Sequence, residues 1–144
     1  MNNSVSENTQ AILLLTAPLI VGHEAYSSEM LSQGEYNRLE KILQEKQHEP
    51  ADLLGPEAEE ILSQFHSIVD SPRIMRLLGR GFLLSQAIER WHARSIWVIS
   101  RADLDYPALL KIRLKDAAPV VLYGCGDNSV LNSGGLAIVG SRHV

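Results

Sequence analysis

The spacing of the hydrophobic residues changes once along the chain. Up to about residue 93 they recur every three or four positions, which is typical of amphipathic helices that pack on a common core. The apolar run Ala11–Val21 is too short to span a bilayer and has no Lys or Arg before it, which indicates a buried helix interrupted near Pro18. The further helices are predicted over residues 33–47, 57–69, 71–78 and 82–91.

From Ser95 the spacing becomes that of β-strands. The run Ile96–Ile99 is short and rich in β-branched and aromatic residues, as buried strands are. The elements predicted after it are a helix over 105–114, a strand over 120–123, a loop over 124–135 and a strand over 136–139. The pattern therefore predicts the α/β class, with a helical domain over residues 1–93 and the start of an α/β domain over residues 94–144.

Charge is divided unevenly along the chain. Residues 1–70 carry 3 Lys or Arg and 12 Asp or Glu, whereas residues 71–144 carry 10 and 5, and eight of those ten cations are Arg. Because a guanidinium forms paired hydrogen bonds to phosphate and stacks on bases, this favours a nucleic-acid partner. The alternative is a solvated face that balances an acidic neighbour. The single Cys125 cannot form an internal disulfide, which favours the reducing cytoplasm.

A glycine turn, Gly79-Arg80-Gly81, joins two of the predicted helices. Its spacing is that of a helix-hairpin-helix, in which backbone N–H groups at a helix N-terminus approach a DNA phosphate. Arg76 and Arg80 are the side chains that we expect to assist nucleic-acid binding there. Two helices joined by a glycine turn also occur in bundles that do not contact DNA.

No residue pattern indicates catalysis or metal binding. Gly124-Cys125-Gly126 follows a strand as a dinucleotide-binding loop does, but Ser129 replaces the third glycine, so we interpret these glycines as loop residues with positive φ. Asp103 and Asp105 are the only close acidic pair outside the predicted helices, and Asp105 is interpreted as a turn or cap residue. The five histidines lack metal-ligand spacing. We therefore expect neither enzymatic activity nor a metal or cofactor.

The last predicted strand leads into Gly140-Ser141-Arg142. At the carboxyl edge of a parallel sheet, such a turn can bind a phosphate group, since glycine permits close approach, serine donates one hydrogen bond and the arginine fork contacts two oxygens. Gly140, Ser141 and Arg142 are therefore the main candidates for nucleic-acid binding.

Four blocks of residues near the end of the chain form a recognisable series. They are Trp97–Pro107, the apolar positions Leu110, Ile112 and Leu114, the run Ala118–Gly124, and Leu136–Arg142. These blocks resemble the DNA-processing protein A family (DprA/Smf), since they occur in the family's order and at similar separations over about residues 91–142. The preceding helical part is similar to the family's variable N-terminal region only in being small and helical.

The resemblance implies an extended Rossmann fold that binds single-stranded DNA and, in transformation and recombination members, helps to load the RecA recombinase. It also implies that Gly140, Ser141 and Arg142 lie in the DNA pocket and that Tyr106-Pro107 is structural. Two other functions stay open: a Rossmann enzyme that holds a nucleotide phosphate with the same turn, and a protein-interaction module that contacts no DNA.

Only His143 and Val144 follow this turn, whereas the Rossmann domain of the family continues far beyond it. The resemblance therefore implies an incomplete Rossmann fold, in a shortened chain, a fragment, or a chain completed by another polypeptide. Because the last strand would have an uncovered edge and face, we expect a homo-oligomer or completion by the missing C-terminal part. No membrane partner is expected.

Overall fold

A computed structural model of the chain describes residues 5–19, 29–65 and 67–126. The described elements, in chain order, are α1 (Glu7–Thr16), α2 (Gln33–Glu45), a 3₁₀ helix (Pro50–Leu54), α3 (Ala58–Ser63), α4 (Ser71–Leu78), α5 (Gly81–Ala93), β1 (Ile96–Ser100), α6 (Ala108–Leu114), a second 3₁₀ helix (Lys115–Ala117) and β2 (Val121–Cys125). Helices thus precede a small sheet, in agreement with the predicted α/β class.

Helix α1 is the most centrally packed element. It begins after Ser6, whose hydroxyl accepts a hydrogen bond from the backbone N–H of Thr9 at 3.1 Å. The apolar run Ala11–Leu15 is buried on every side, because α4, α5 and both strands contact this helix. Helix α1 ends at Thr16, two residues before Pro18, since the residue before a proline is disfavoured in a helix. The buried helix and its interruption near Pro18 are confirmed.

Helix α2 begins with a capping box. The Ser32 hydroxyl accepts from the backbone N–H of Glu35 at 3.2 Å, and the Glu35 carboxylate accepts from the N–H of Ser32 at 2.9 Å. The same carboxylate lies 2.7 Å from Nη1 of Arg73 in α4. The hydrogen bonds from Arg73 and Ser32 lower the pKa of Glu35 to about 2. Arg73 also donates to the carbonyls of Glu29 and Met30, so it connects α4 to the start of α2.

The helix predicted over 57–69 ends early, at Ser63. The hydroxyl of Ser71 donates to the Leu62 carbonyl in the last turn of α3 at 3.1 Å. Asp70 then caps the N-terminus of α4. These polar groups end α3 and start α4. The prediction that the helix continues over residues 64–69 is therefore wrong. The bounds of α2, α4 and α5 agree with prediction to within two residues.

The two strands form an antiparallel sheet, with α6 between them in the chain. Val98 lies opposite Tyr123, and Ile99 lies opposite Leu122. A Rossmann core consists of parallel strands, so this pair does not by itself form one. The Rossmann fold stays a prediction, because the third predicted strand, Leu136–Val139, lies outside the described residues.

Strand β2 continues two residues beyond its predicted end at Tyr123. Gly124 lies opposite Trp97, and a Cβ at this glycine would lie 2.3 Å from Cζ2 of the indole ring. Gly124 therefore permits close cross-strand packing, and the prediction that it is a loop glycine with positive φ is wrong. Gly126 does have a positive φ, of +86°.

One hydrophobic core joins the helices to the sheet. Val98 and Val121 belong to the same buried cluster as the apolar residues of α1 to α5. Ile99, Tyr106 and Leu122 form a second cluster on the opposite face of the strands. The predicted domain boundary after residue 93 falls between α5 and β1, and the division into two domains stays a prediction. Within the described ranges, no helix combines the length and the apolar character that a membrane span requires.

Candidate nucleic-acid interface

The predicted glycine turn lies between α4 and α5. Gly79 ends α4 with a φ of −75°, and Gly81 is the first residue of α5. Among the described residues, no side chain caps the N-terminus of α5, and a Cβ at Gly81 would meet none of their atoms within 4 Å. The fold itself therefore does not require glycine at this position. An uncapped helix N-terminus with open space beside it has the geometry that a phosphate contact needs.

Arg80 is engaged within the fold. Its guanidinium donates to the carbonyl of Leu14, and also to those of Pro18 at 3.5 Å and Leu77 at 3.4 Å. These contacts place a cation at the negative end of the α1 dipole. Burial lowers the pKa of Arg80. Because a phosphate would have to replace these bonds, the observed contacts are structural, and a DNA contact by Arg80 stays a prediction.

Arg76 is the more accessible of the two predicted arginines. Its Nη2 lies 3.1 Å from the Glu29 carboxylate, and its side chain is 60% exposed. An exposed ion pair of this kind contributes little to stability, so Arg76 can exchange this partner for a phosphate at small cost. Its predicted role in nucleic-acid binding remains open.

The main predicted contacts, Gly140, Ser141 and Arg142, lie outside the described residues. The structure shows what precedes them, namely strand β2, which ends at the exposed Cys125. The part of the chain that the structure describes brings no three His, Cys, Asp or Glu side chains together as a metal site.

A partly buried polar network joins the start of α1 to the turn after β1. The hydroxyls of Ser6 and Thr9 donate to the Asp103 carboxylate at 2.6 and 2.5 Å. The Ser100 hydroxyl lies 2.7 Å from Oγ1 of Thr9, and the Ser100 backbone N–H donates to Asp103 at 2.9 Å. Sequence analysis missed this network because its two halves are more than 90 residues apart. It gives Asp103 a structural role.

A cleft of about 270 Å³, here called the α2–α6 cleft, is a second feature that sequence analysis missed. It lies where α2 faces the turn after β1 and the end of α6. Its charged lining residues are Glu40, Arg101, Lys111 and Lys115, together with the titratable His48. No short motif contains these residues, since three separate segments supply them.

The described elements after α5 correspond to the first three of the four blocks on which the family resemblance rested. Tyr106, in one of those blocks, is buried, and its hydroxyl donates to the Pro119 carbonyl at 2.6 Å. This supports the structural role implied for Tyr106-Pro107. Residues 97–144 match the family model of DNA recombination-mediator protein A. The match confirms the suspected DprA/Smf resemblance and connects the chain with DNA recombination.

The matched DNA recombination-mediator protein A segment begins at the second residue of β1 and covers one third of the chain. Helices α1 to α5 precede it, yet they share their core with its strands. The Ser6–Thr9–Asp103 contacts also cross from the unmatched part to the matched part. No significant match was found among curated proteins or solved structures.

Proposed function

We propose that the chain is a single-stranded DNA-binding protein of DNA uptake or recombination, in which Gly140, Ser141 and Arg142 bind a backbone phosphate. The observation that carries this proposal is the family match, which extends through all three residues. The excess of Lys and Arg over Asp and Glu in residues 71–144, 10 against 5, supports it.

The proposed chemistry is binding without catalysis. Arg and backbone N–H groups would contact phosphates, which carry no base information, so affinity would be nearly independent of sequence and sensitive to salt. We further propose that the protein acts in the cytoplasm, that it assists a RecA-type recombinase in loading on the bound strand, and that it forms a homo-oligomer.

The proposal is tested by the salt dependence of DNA binding. Fluorescence anisotropy with oligo-dT and a mixed-sequence oligonucleotide, at several salt concentrations, compares the full chain with Arg142→Ala and Arg142→Lys. We expect Arg142→Ala to weaken both complexes equally and to lower the slope of log K against log salt by roughly 0.7, because one phosphate contact is lost. Arg142→Lys keeps the positive charge but lacks the planar guanidinium group. We therefore expect it to retain only part of the DNA affinity that Arg142→Ala loses.

Arg38→Ala is the matched control. Arg38 is exposed on α2, in the acidic half of the chain and outside the family match, so its removal should leave the slope unchanged. If Arg142→Ala lowers thermal stability and leaves the slope unchanged, Arg142 is a structural residue and the DNA role of the turn is wrong. Recombinase loading is tested separately, by the rate of RecA filament growth with and without the chain.

A further inference from the structure

The α2–α6 cleft has an excess of positive charge. Arg101, Lys111 and Lys115 line it, and Glu40 is the only Asp or Glu among its described lining residues. His48 also lines the cleft, but its Nδ1 lies 3.2 Å from the Asp52 carboxylate. Apart from His48, which pairs with Asp52 outside the lining, the described lining residues include three cations and one anion, an excess of two.

Two cations of the cleft, Arg101 and Lys111, are held by neutral groups. Nη2 of Arg101 donates to Oδ1 of Asn37, and its guanidinium carbon lies 5.9 Å from the centroid of the Tyr36 ring. Nζ of Lys111 lies 5.6 Å from the centroid of the Tyr106 ring. No ion pair joins Arg101, Lys111 or Lys115 to a carboxylate within the described ranges. Neutral partners position these cations without cancelling their charge, which leaves them available to an anion.

Lys115 adopts a conformation that normally favours glycine. Its φ of 50° and ψ of −120° lie outside the regions that residues with a Cβ readily occupy. Backbone strain of this kind is concentrated at active sites and ligand-binding sites. A binding role for the Lys115 ammonium group would account for lysine at this end of α6.

We propose that the α2–α6 cleft binds the dianionic phosphate group of a phosphate monoester. A monoester carries a charge of about −1.5 to −2 at neutral pH, which matches the two excess cations. The cleft volume of about 270 Å³ is sufficient to admit a phosphate group. Two sources present this group, a free nucleoside monophosphate and the 5′-terminal phosphate of a DNA strand. This site does not depend on the Gly140–Arg142 turn.

The test is a titration of the full chain with deoxythymidine monophosphate, followed by calorimetry and ³¹P NMR. Lys111→Gln and Lys115→Gly should each weaken binding about tenfold, because each removes one charge-assisted contact to the phosphate. Lys115→Gly should also raise the melting temperature, since glycine relieves the positive φ, so its lower affinity cannot be attributed to unfolding. Glu40→Gln should strengthen binding several-fold, because it removes the negative charge of the only Asp or Glu among the described lining residues.

Arg113→Gln is the matched control, since Arg113 is an exposed cation of the same helix that does not line the cleft. Its affinity for the monophosphate should equal that of the unchanged chain. Anisotropy with oligo-dT that carries either a 5′-phosphate or a 5′-hydroxyl then distinguishes the sources. If the 5′-phosphorylated strand binds more tightly than the 5′-hydroxyl strand, and Lys111→Gln abolishes the difference, the site is assigned to the 5′-terminal phosphate of a DNA strand.

If the two strands bind equally, and Lys111→Gln and Lys115→Gly weaken binding of the monophosphate, the site is assigned to free monoesters. If neither probe binds saturably, or if Lys111→Gln and Arg113→Gln behave alike, the proposal is wrong. Binding of the 5′-hydroxyl strand reports on the Arg142 turn and not on this cleft, so the two proposals can fail separately.

Discussion

Asp103→Ala is expected to be strongly destabilising, although Asp103 lies in a turn. Its carboxylate accepts hydrogen bonds from the hydroxyls of Ser6 and Thr9 and from the backbone N–H of Ser100. Thr9 and Ser100 are fully buried, so two of the three donors cannot turn to water. A hydrogen bond to a charged group contributes about 1.5–3 kcal/mol, and Thr9 can still bond to the Ser100 hydroxyl, so we expect a loss of about 3 kcal/mol.

Urea unfolding followed by circular dichroism measures this loss, with Asp116→Ala as the matched control. The Asp116 carboxylate is 76% exposed and lies 3.6 Å from Nζ of Lys41, so its removal should cost less than about 1 kcal/mol. If Asp103→Ala is too unstable to measure, Thr9→Val keeps the buried volume and removes one donor, at an expected cost of about 1–2 kcal/mol. Equal stability of the Asp103→Ala and Asp116→Ala variants would refute the reasoning.

Three further predictions concern single contacts. Gly124→Ala should cost about 2 kcal/mol and change the near-UV circular dichroism, because the new Cβ displaces the opposite indole ring. Gly34→Ala should not destabilise, because its Cβ would meet no atom of the described residues within 4 Å. The depressed pKa of Glu35 stabilises the fold above pH 4.5, and this contribution disappears as pH falls towards 2. Glu35→Gln should therefore remove about 1 kcal/mol of acid-dependent stability after allowance for solvent screening, as urea titrations between pH 5 and 2 would show. Arg80→Ala should lower stability by about 2 kcal/mol and Arg76→Ala by less than about 0.5, and equal losses would contradict the assignment of Arg80 to the end of α1.

The helices were predictable because local signals determine most of their bounds. Ser32 and Glu35 form a capping box that can be recognised from the sequence, and Pro18 limits α1 in the same way. The helix over 57–69 was overextended because its apolar spacing continues past Ser63. The interruption depends on Asp70 and Ser71, which cap two adjacent helix ends at once.

The contacts that hold the site could not be predicted, because they join distant segments. Asp103 looked like one of two acids in a turn, and its donors Ser6 and Thr9 lie more than 90 residues earlier. Arg80 was predicted to bind DNA because it lies beside a glycine turn. In the structure its guanidinium instead donates to carbonyls at the end of α1. The spacing of apolar residues along the sequence indicates which face of a helix is buried. It does not indicate which helix faces pack against each other.

The central position of α1 has a consequence for synthesis on the ribosome. Residues Ala11–Leu15 leave the exit tunnel early, yet the strands that cover them are made about 90 residues later. At the usual rate of translation, 5–20 residues per second, this interval lasts roughly 5–20 s. During that time the face of α1 that the strands cover stays exposed, although the first 3₁₀ helix, α4 and α5 can already pack on its other faces. The nascent chain therefore presents part of an apolar helix to chaperones that bind short hydrophobic segments.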